Sequence, residues 1–415
     1  MESSQLIPLV RKFPSLMWII LFGDFITRGS FYMVWPFLAV ILYQEFGLSA
    51  TEVGLILSGA AFVSVFIGFF GGALSDLLGR KKVMFTTGIV YVLSFVLLAQ
   101  VDTVFGYIVV ITLCSMSKAI WDPPTQALVA DILPEADVRE LALQTRYFIV
   151  NVGCAIGPML GVYFGVTGQQ SGFLLTALTF ALWLVLLAVG MKKHGDIEEH
   201  KQESDHSLND TWRILLKDRM LQCLIVANII CLFVYAQMDT TLIQYLTRAK
   251  VPELVELISS MIFANALVII CSQFLLLKMM VSLTLIHRIQ IGLALLAASQ
   301  LWMAFNPVDG FWLWIGAVVV MSFAEAILFP TMNVQIDRLA PKHLRGAYFG
   351  AASFYSIGYA VAPLGGGILL DYLGGPWVFG IGTLMIGLTM YLYKILHKMP
   401  RPDFDSITIK GKTSP

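Results

Sequence analysis

A few charged side chains interrupt long apolar runs at spacings that suit proton or ion chemistry. In the first run Asp24 and Arg28 lie one helical turn apart, and Tyr32 and Trp35 continue the same face. The fourth run repeats the four-residue step as Lys118, Asp122 and Gln126, and the seventh contains Asn228, Gln237 and Asp239. Glu325 stands five residues before Pro330 in the tenth run, with Asn333 beyond it. A charge at bilayer depth costs a few kcal/mol, so such residues usually face a polar cavity and have a role. At the helical rise per residue, Asp24 lies on the order of 15 Å from the inner end of its run, close to the midplane. No base accompanies Glu325 on its own helix, and burial favours its neutral form, so it is placed to take up and release a proton. Asp24 shares that coupling role, with Arg28 and Lys118 controlling the proton affinity of both acids. Two blander readings stand beside this one. Asp24 and Arg28 can neutralise each other within one helix, and Glu325 can be a protonated hydrogen bond between helices. Arg146 in the fifth run lies near the inner face and reads as snorkelling to headgroups. Tyr147, Asn151, Tyr235, Asn265, Phe354, Tyr355 and Tyr359 could line a pocket, although each taken singly reads as helix packing.

The chain that must position these residues is 415 residues long, 58% hydrophobic and only 13% charged, with a mean hydropathy of +0.79. Soluble domains carry roughly a quarter charged residues. Twelve apolar spans are predicted, at about 16–43, 52–75, 83–101, 104–131, 143–166, 171–191, 220–246, 255–278, 285–305, 311–337, 346–372 and 376–397. The first exceeds a signal-peptide core in length and is expected to be retained. The fold class is therefore an all-α membrane protein.

Formal net charge is zero, so no electrostatic case exists for a nucleic-acid partner. The five cysteines fall inside apolar spans without metal-ligand spacing. The six histidines fall in loops or near the inner end of span twelve, which leaves no transmembrane histidine relay. No metalloprotease pair, nucleophile elbow or phosphate-binding glycine loop occurs. The sequence thus points away from an enzyme and calls for no cofactor and no metal. The partners expected are a small-molecule substrate, protons and the bilayer, with no obligatory protein partner and a monomeric state.

Charge placement orients the chain. Almost all of the 27 Lys and Arg fall in the termini, the even-numbered loops and the long polar stretch between spans six and seven. The opposite loops hold only Arg248 and Lys250, while Arg28, Lys118 and Arg146 lie within spans. Positive-inside bias then puts both termini in the cytoplasm and the protein in the cell (inner or plasma) membrane. Residues 1–191 form one six-helix bundle, 192–219 a cytoplasmic linker, 220–397 a second bundle and 398–415 a cytoplasmic tail. The bundles are related by sequence. Pro124, Asp131 and Arg139 recur with the same spacing as Pro330, Asp337 and Arg345, and Gly157-Pro158 returns as Ala362-Pro363. Matched halves of this kind build midplane binding sites in many secondary transporters.

The loop between spans two and three carries Gly72, then Asp76 after three residues, then Gly79, Arg80 and Lys81 after two more. This resembles the loop 2–3 signature of the major facilitator superfamily at every position. With the twelve spans, the linker and the repeat, the resemblance covers essentially the whole chain. It implies twelve helices in two pseudo-symmetric six-helix bundles, alternating access, and a cavity lined by spans one, four, seven and ten. The intramembrane acids fall on those same four spans.

By resemblance, Asp76 meets the N-terminus of span eleven near Gly346, together with Arg80, and latches the cytoplasmic side shut in the outward-facing state. Span five carries Gly153, Gly157, Pro158 and Gly161, which resembles the signature of drug/proton antiporters. There, small residues let helices pack closely. The basic residue such antiporters carry near the start of span four is Ile111 in this chain. A fainter similarity, from Asp24 through Thr27 and Arg28 to Tyr32, is to proton-coupled oligopeptide transporters, with Thr27 in place of their second Glu. The resemblance therefore implies proton-coupled efflux of small amphipathic compounds or drugs. Transport of peptides or amino-acid derivatives is the alternative, and a non-transporting membrane sensor the remote one.

Overall fold

A helix that is apolar on every face needs lipid or other helices around it, and the computed structural model packs these runs together as helices. It describes residues 9–133, 135–166, 169–194, 216–280, 282–340, 348 and 351–400. For some residues inside helices, 68–77, 80, 122–123 and 126–127 among them, only the backbone is described. Twelve helical spans among the described residues are long and apolar enough to cross a membrane. Spans one to six cover Ser15–Phe46, Ala50–Leu78, Arg80–Leu98, Val104–Ile132, Ala136–Tyr163 and Gly172–His194. Spans seven to twelve cover Arg219–Arg248, Leu254–Met279, Leu285–Phe305, Phe311–Leu339, Ser356–Leu373 and Gly375–Ile395. Most of the linker, residues 195–215, lies outside the described residues, as does the tail from 401.

The helix starts follow local chemistry. Ser49 and Glu52 form a capping box at span two, with Glu52 N–H donating to Ser49 Oγ at 3.1 Å and Ser49 N–H to Glu52 Oε2 at 2.7 Å. Asp218 caps span seven by accepting from Met220 N at 3.0 Å and Leu221 N at 3.1 Å. Gly79, the second glycine of the loop signature, joins spans two and three at φ 88° and ψ 133°. That region is accessible essentially only to glycine.

Packing repeats between the halves. Span one lies against five and six, two against four, and three against four and six. Adding six to each number gives the second half: seven against eleven and twelve, eight against ten, and nine against ten and twelve. The halves meet through span two on eleven and span five on eight, a pair that the same operation exchanges.

Spans one and seven are both broken in their second halves. Span one passes through a 3-10 turn at Trp35–Phe37, where Pro36 has no N–H to continue the ladder. Span seven widens into a π turn at Met238–Leu242 before its last piece, Ile243–Arg248.

Candidate functional site

Small residues set how closely the helices carrying the charges approach. A methyl group at Gly153 would sit 2.8 Å from the Phe25 carbonyl oxygen, and one at Gly157 would overlap the backbone of Gly29. Span five therefore lies directly on span one, with Pro158 and Gly161 also buried. In the other half, a methyl at Gly358 of span eleven would overlap the Ile229 carbonyl of span seven.

That contact gives Asp24 a partner the sequence did not suggest. Arg146 Nε on span five donates to Asp24 Oδ2 at 2.6 Å, and Nη2 reaches Oδ1 at 3.5 Å. Both side chains are largely buried. The reading of Arg146 as a snorkelling residue is thus corrected, and so is the self-neutralising Asp24–Arg28 pair. At this depth a guanidinium is better compensated by a buried carboxylate on the adjacent helix than by reaching for headgroups. Spacing along one helix reveals neighbours on that helix only, so a partner on another span was invisible. Arg28 and Lys118 are half-buried in the same half, and the Lys118 ammonium lies 5.0 Å from the Phe31 ring centroid. Tyr32 and Trp35 flank Phe31, Trp35 stacked at 4.9 Å and Tyr32 edge-on at 5.7 Å. The side chains of Asp122 and Gln126 lie outside the described residues.

The second half holds acids of a different kind. Tyr235 Oη on span seven donates to Glu325 Oε2 at 2.7 Å, and Asn265 Nδ2 on span eight donates to the same oxygen at 2.8 Å. Asn265 also reaches Ser322 Oγ at 3.0 Å. Asp239 sits on the π turn of span seven and accepts from Tyr359 Oη of span eleven at 2.5 Å. Among the described residues neither Glu325 nor Asp239 is in an ion pair. Three residues that read singly as packing, Tyr235, Asn265 and Tyr359, are therefore the donors to these acids. Their signal was positional: each lies at the depth of an intramembrane carboxylate on a neighbouring span.

Other expected cavity residues are placed differently. Asn228 is 1% exposed and accepts from Tyr393 Oη of span twelve at 2.5 Å. Gln237, also 1% exposed, accepts from Thr241 Oγ1 at 2.5 Å and donates to Phe233 O at 3.0 Å and, at 3.4 Å, to Ala362 O of span eleven. Both hold span seven to its neighbours and line no open space, because a buried amide is retained where its hydrogen bonds are made. Asn333 is exposed. Of the gate residues, Gly72 and Asp76 lie on the helical backbone of span two and Arg80 on that of span three, with the Asp76 and Arg80 side chains outside the described residues; Gly346 lies outside them altogether, so the expected latch is not seen. No metal-ligating cluster occurs among the described residues.

Comparison with known proteins agrees with this architecture. The profile of the Major Facilitator Superfamily matches residues 20–356 and 289–412. The chain is 28% identical over 376 residues to the uncharacterized MFS-type transporter YqjV of Bacillus subtilis, covering 90% of this chain and 91% of that protein. It is 26% identical over 404 residues to a Na(+), Li(+), K(+)/H(+) antiporter of Planococcus maritimus, covering 90% and 93%. The structure of the nucleoside transporter NupG superposes with a TM-score of 0.78 across 92% of this chain and 98% of that one, at 14% identity, a likeness of fold alone.

Proposed function

The chain belongs to the Major Facilitator Superfamily, and from that premise we propose that it is a proton-coupled transporter in which Glu325 exchanges the proton. The observation that carries this reading is the state of Glu325. Its carboxyl is inside the membrane span, receives two neutral hydrogen-bond donors on one oxygen, and has no cationic partner among the described residues. A buried carboxyl in such a setting is neutralised most cheaply by a proton on its other oxygen. Asp24 already has Arg146 and must leave it before it can take a proton. The coupling role expected of both acids is therefore assigned first to Glu325, with Asp24 following when spans one and five separate.

The direction we propose is efflux by antiport of small amphipathic compounds. It is supported by the resemblance of the span-five residues Gly153, Gly157, Pro158 and Gly161 to the drug/proton antiporter signature and by a relative named as a Na(+), Li(+), K(+)/H(+) antiporter. The protein acts as a monomer in the cell membrane with both termini inside, the orientation its Lys and Arg distribution favours. One observation favours a second substrate class. Glu325 and Asp239, in no ion pair among the described residues, are on spans ten and seven, while the basic residues Arg28 and Lys118 are on spans one and four. That division suits a zwitterion such as a peptide or amino-acid derivative.

The test is transport in proteoliposomes under proton gradients of either polarity, with amphipathic dyes and dipeptides offered in parallel. The expected result is accumulation that follows the gradient and is lost in Glu325→Gln, which still exchanges substrate at equilibrium. Full gradient-driven accumulation in Glu325→Gln would overturn the assignment.

A further inference from the structure

The two halves are joined by a set of polar contacts at the end that carries the loops between spans one and two and between spans seven and eight. Asp371, in the last turn of span eleven, accepts from Ala50 N at 3.1 Å, Thr51 N at 2.7 Å and Thr51 Oγ1 at 2.6 Å. These are the first residues of span two in the other half. The helix N-terminus there offers unsatisfied N–H groups and a positive dipole end, and the carboxylate meets both. Arg248, at the end of span seven, donates from Nη2 to Leu48 O at 2.9 Å and lies 4.6 Å over the Tyr43 ring. One layer deeper, Leu364 N donates to Ser58 Oγ at 3.0 Å. Glycines make room for this approach: a methyl at Gly54 would strike the Pro363 carbonyl, and one at Gly367 the Ala50 carbonyl. Phe37, Val40 and Ala50 of the first half belong to the second half's hydrophobic core. This end is closed.

We propose that Asp371 is the latch of this gate and that Arg248 is its second clasp. Three charge-assisted bonds from one carboxylate to one helix start are made only while the halves touch. Asp371 is exposed at the rim, so water replaces its partners as soon as they separate. Gln244 acts against the latch. It lies one turn before Arg248 on the same face of span seven, is 2% exposed, and neither amide atom has a partner among the described residues. Arg248 Nε is also buried without one. Closure keeps these groups from water, and opening hydrates them. The gate is thus set by two opposed terms, latch bonds that favour closure and stranded polar atoms that favour opening. This rests on the transport reading only for its consequence, since the opening itself is measurable without substrate.

The experiment uses the full chain, with native cysteines replaced, in lipid nanodiscs, spin-labelled at Glu45→Cys and Glu256→Cys, so that distances across this end report its opening. In Asp371→Asn the ratio of open to closed molecules should rise about tenfold or more, the scale expected for losing charge-assisted hydrogen bonds. Thr51→Val should raise it by less. Gln244→Leu should lower it. Unchanged distance distributions in both Asp371→Asn and Thr51→Val would overturn the latch, and a Gln244→Leu protein that opens further would overturn the opposing term. A Thr51→Cys/Asp371→Cys pair guards against loss of folding. Oxidation should fix the short distance and reduction release it, whereas an open population persisting after complete cross-linking would contradict a gate at this seam.

Discussion

Arg146 and Asp24 form an ion pair at 2.6 Å between spans five and one, and nothing in their separation along the chain announces it. Both are largely buried, so the pair's value lies in what its loss leaves behind. Arg146→Met strands a carboxylate in the membrane and should destabilise the protein by about 3–5 kcal/mol. Asp24→Asn/Arg146→Met removes both charges and should recover much of that loss. Thermal unfolding of the parent, Asp24→Asn, Arg146→Met and the double variant in one detergent measures the coupling. Additive losses would show that the two residues act separately.

Tyr235→Phe removes one of the two donors to Glu325 while keeping the ring that packs edge-on against Phe329 at 4.9 Å. Its stability cost should be modest, about 0.5–1.5 kcal/mol. Gradient-driven accumulation should fall, because the carboxyl loses the contact that ties its protonation to span seven. Asn265→Leu should act in the same direction, since Asn265 ties Glu325 to span eight. Measuring accumulation and equilibrium exchange on the same vesicles separates coupling from binding. Parallel loss of both would point to the substrate pocket instead.

The number of spans and the halves were legible because each depends on composition or on a repeat along the chain. The acids of the site were legible too, since a lone carboxylate in an apolar run stands out. Their partners were not. Arg146 looked like a residue reaching for headgroups, and Tyr235, Asn265 and Tyr359 looked like packing, because interhelical contacts have no signature in spacing. Asn228 and Gln237 show the converse: polarity alone suggested a cavity, whereas Tyr393 and Ala362 supply them with buried partners. The π turn that presents Asp239 had no proline or glycine to mark it.

Gly157 tests whether the span-five pattern is structural. Its methyl-bearing replacements meet the Gly29 backbone, which cannot step aside within a continuous helix. Gly157→Val should cost about 1–3 kcal/mol by overpacking. It should also weaken the Asp24–Arg146 pair by separating spans one and five. The check is whether Gly157→Val and Arg146→Met are less than additive in unfolding midpoint. Full additivity would mean that the glycine does not position the arginine.

Gly79 separates the backbone part of the loop signature from its charge. Its φ of 88° and ψ of 133° exclude side chains by backbone sterics, while a methyl there meets no atom of the described residues within 4 Å. Gly79→Ala should therefore cost about 1–3 kcal/mol through strain alone. Gly79→Asn should give no relief, because asparagine's tolerance is for left-handed helical dihedrals, with ψ near 47°. Both variants should lower the unfolding midpoint by similar amounts, whatever the membrane potential or proton gradient. A stable Gly79→Asn beside an unstable Gly79→Ala would show instead that the turn relaxes to the left-handed helical conformation. The second glycine of the signature would then be a matter of local hydrogen bonding, which asparagine supplies, and not of a backbone that only glycine can adopt.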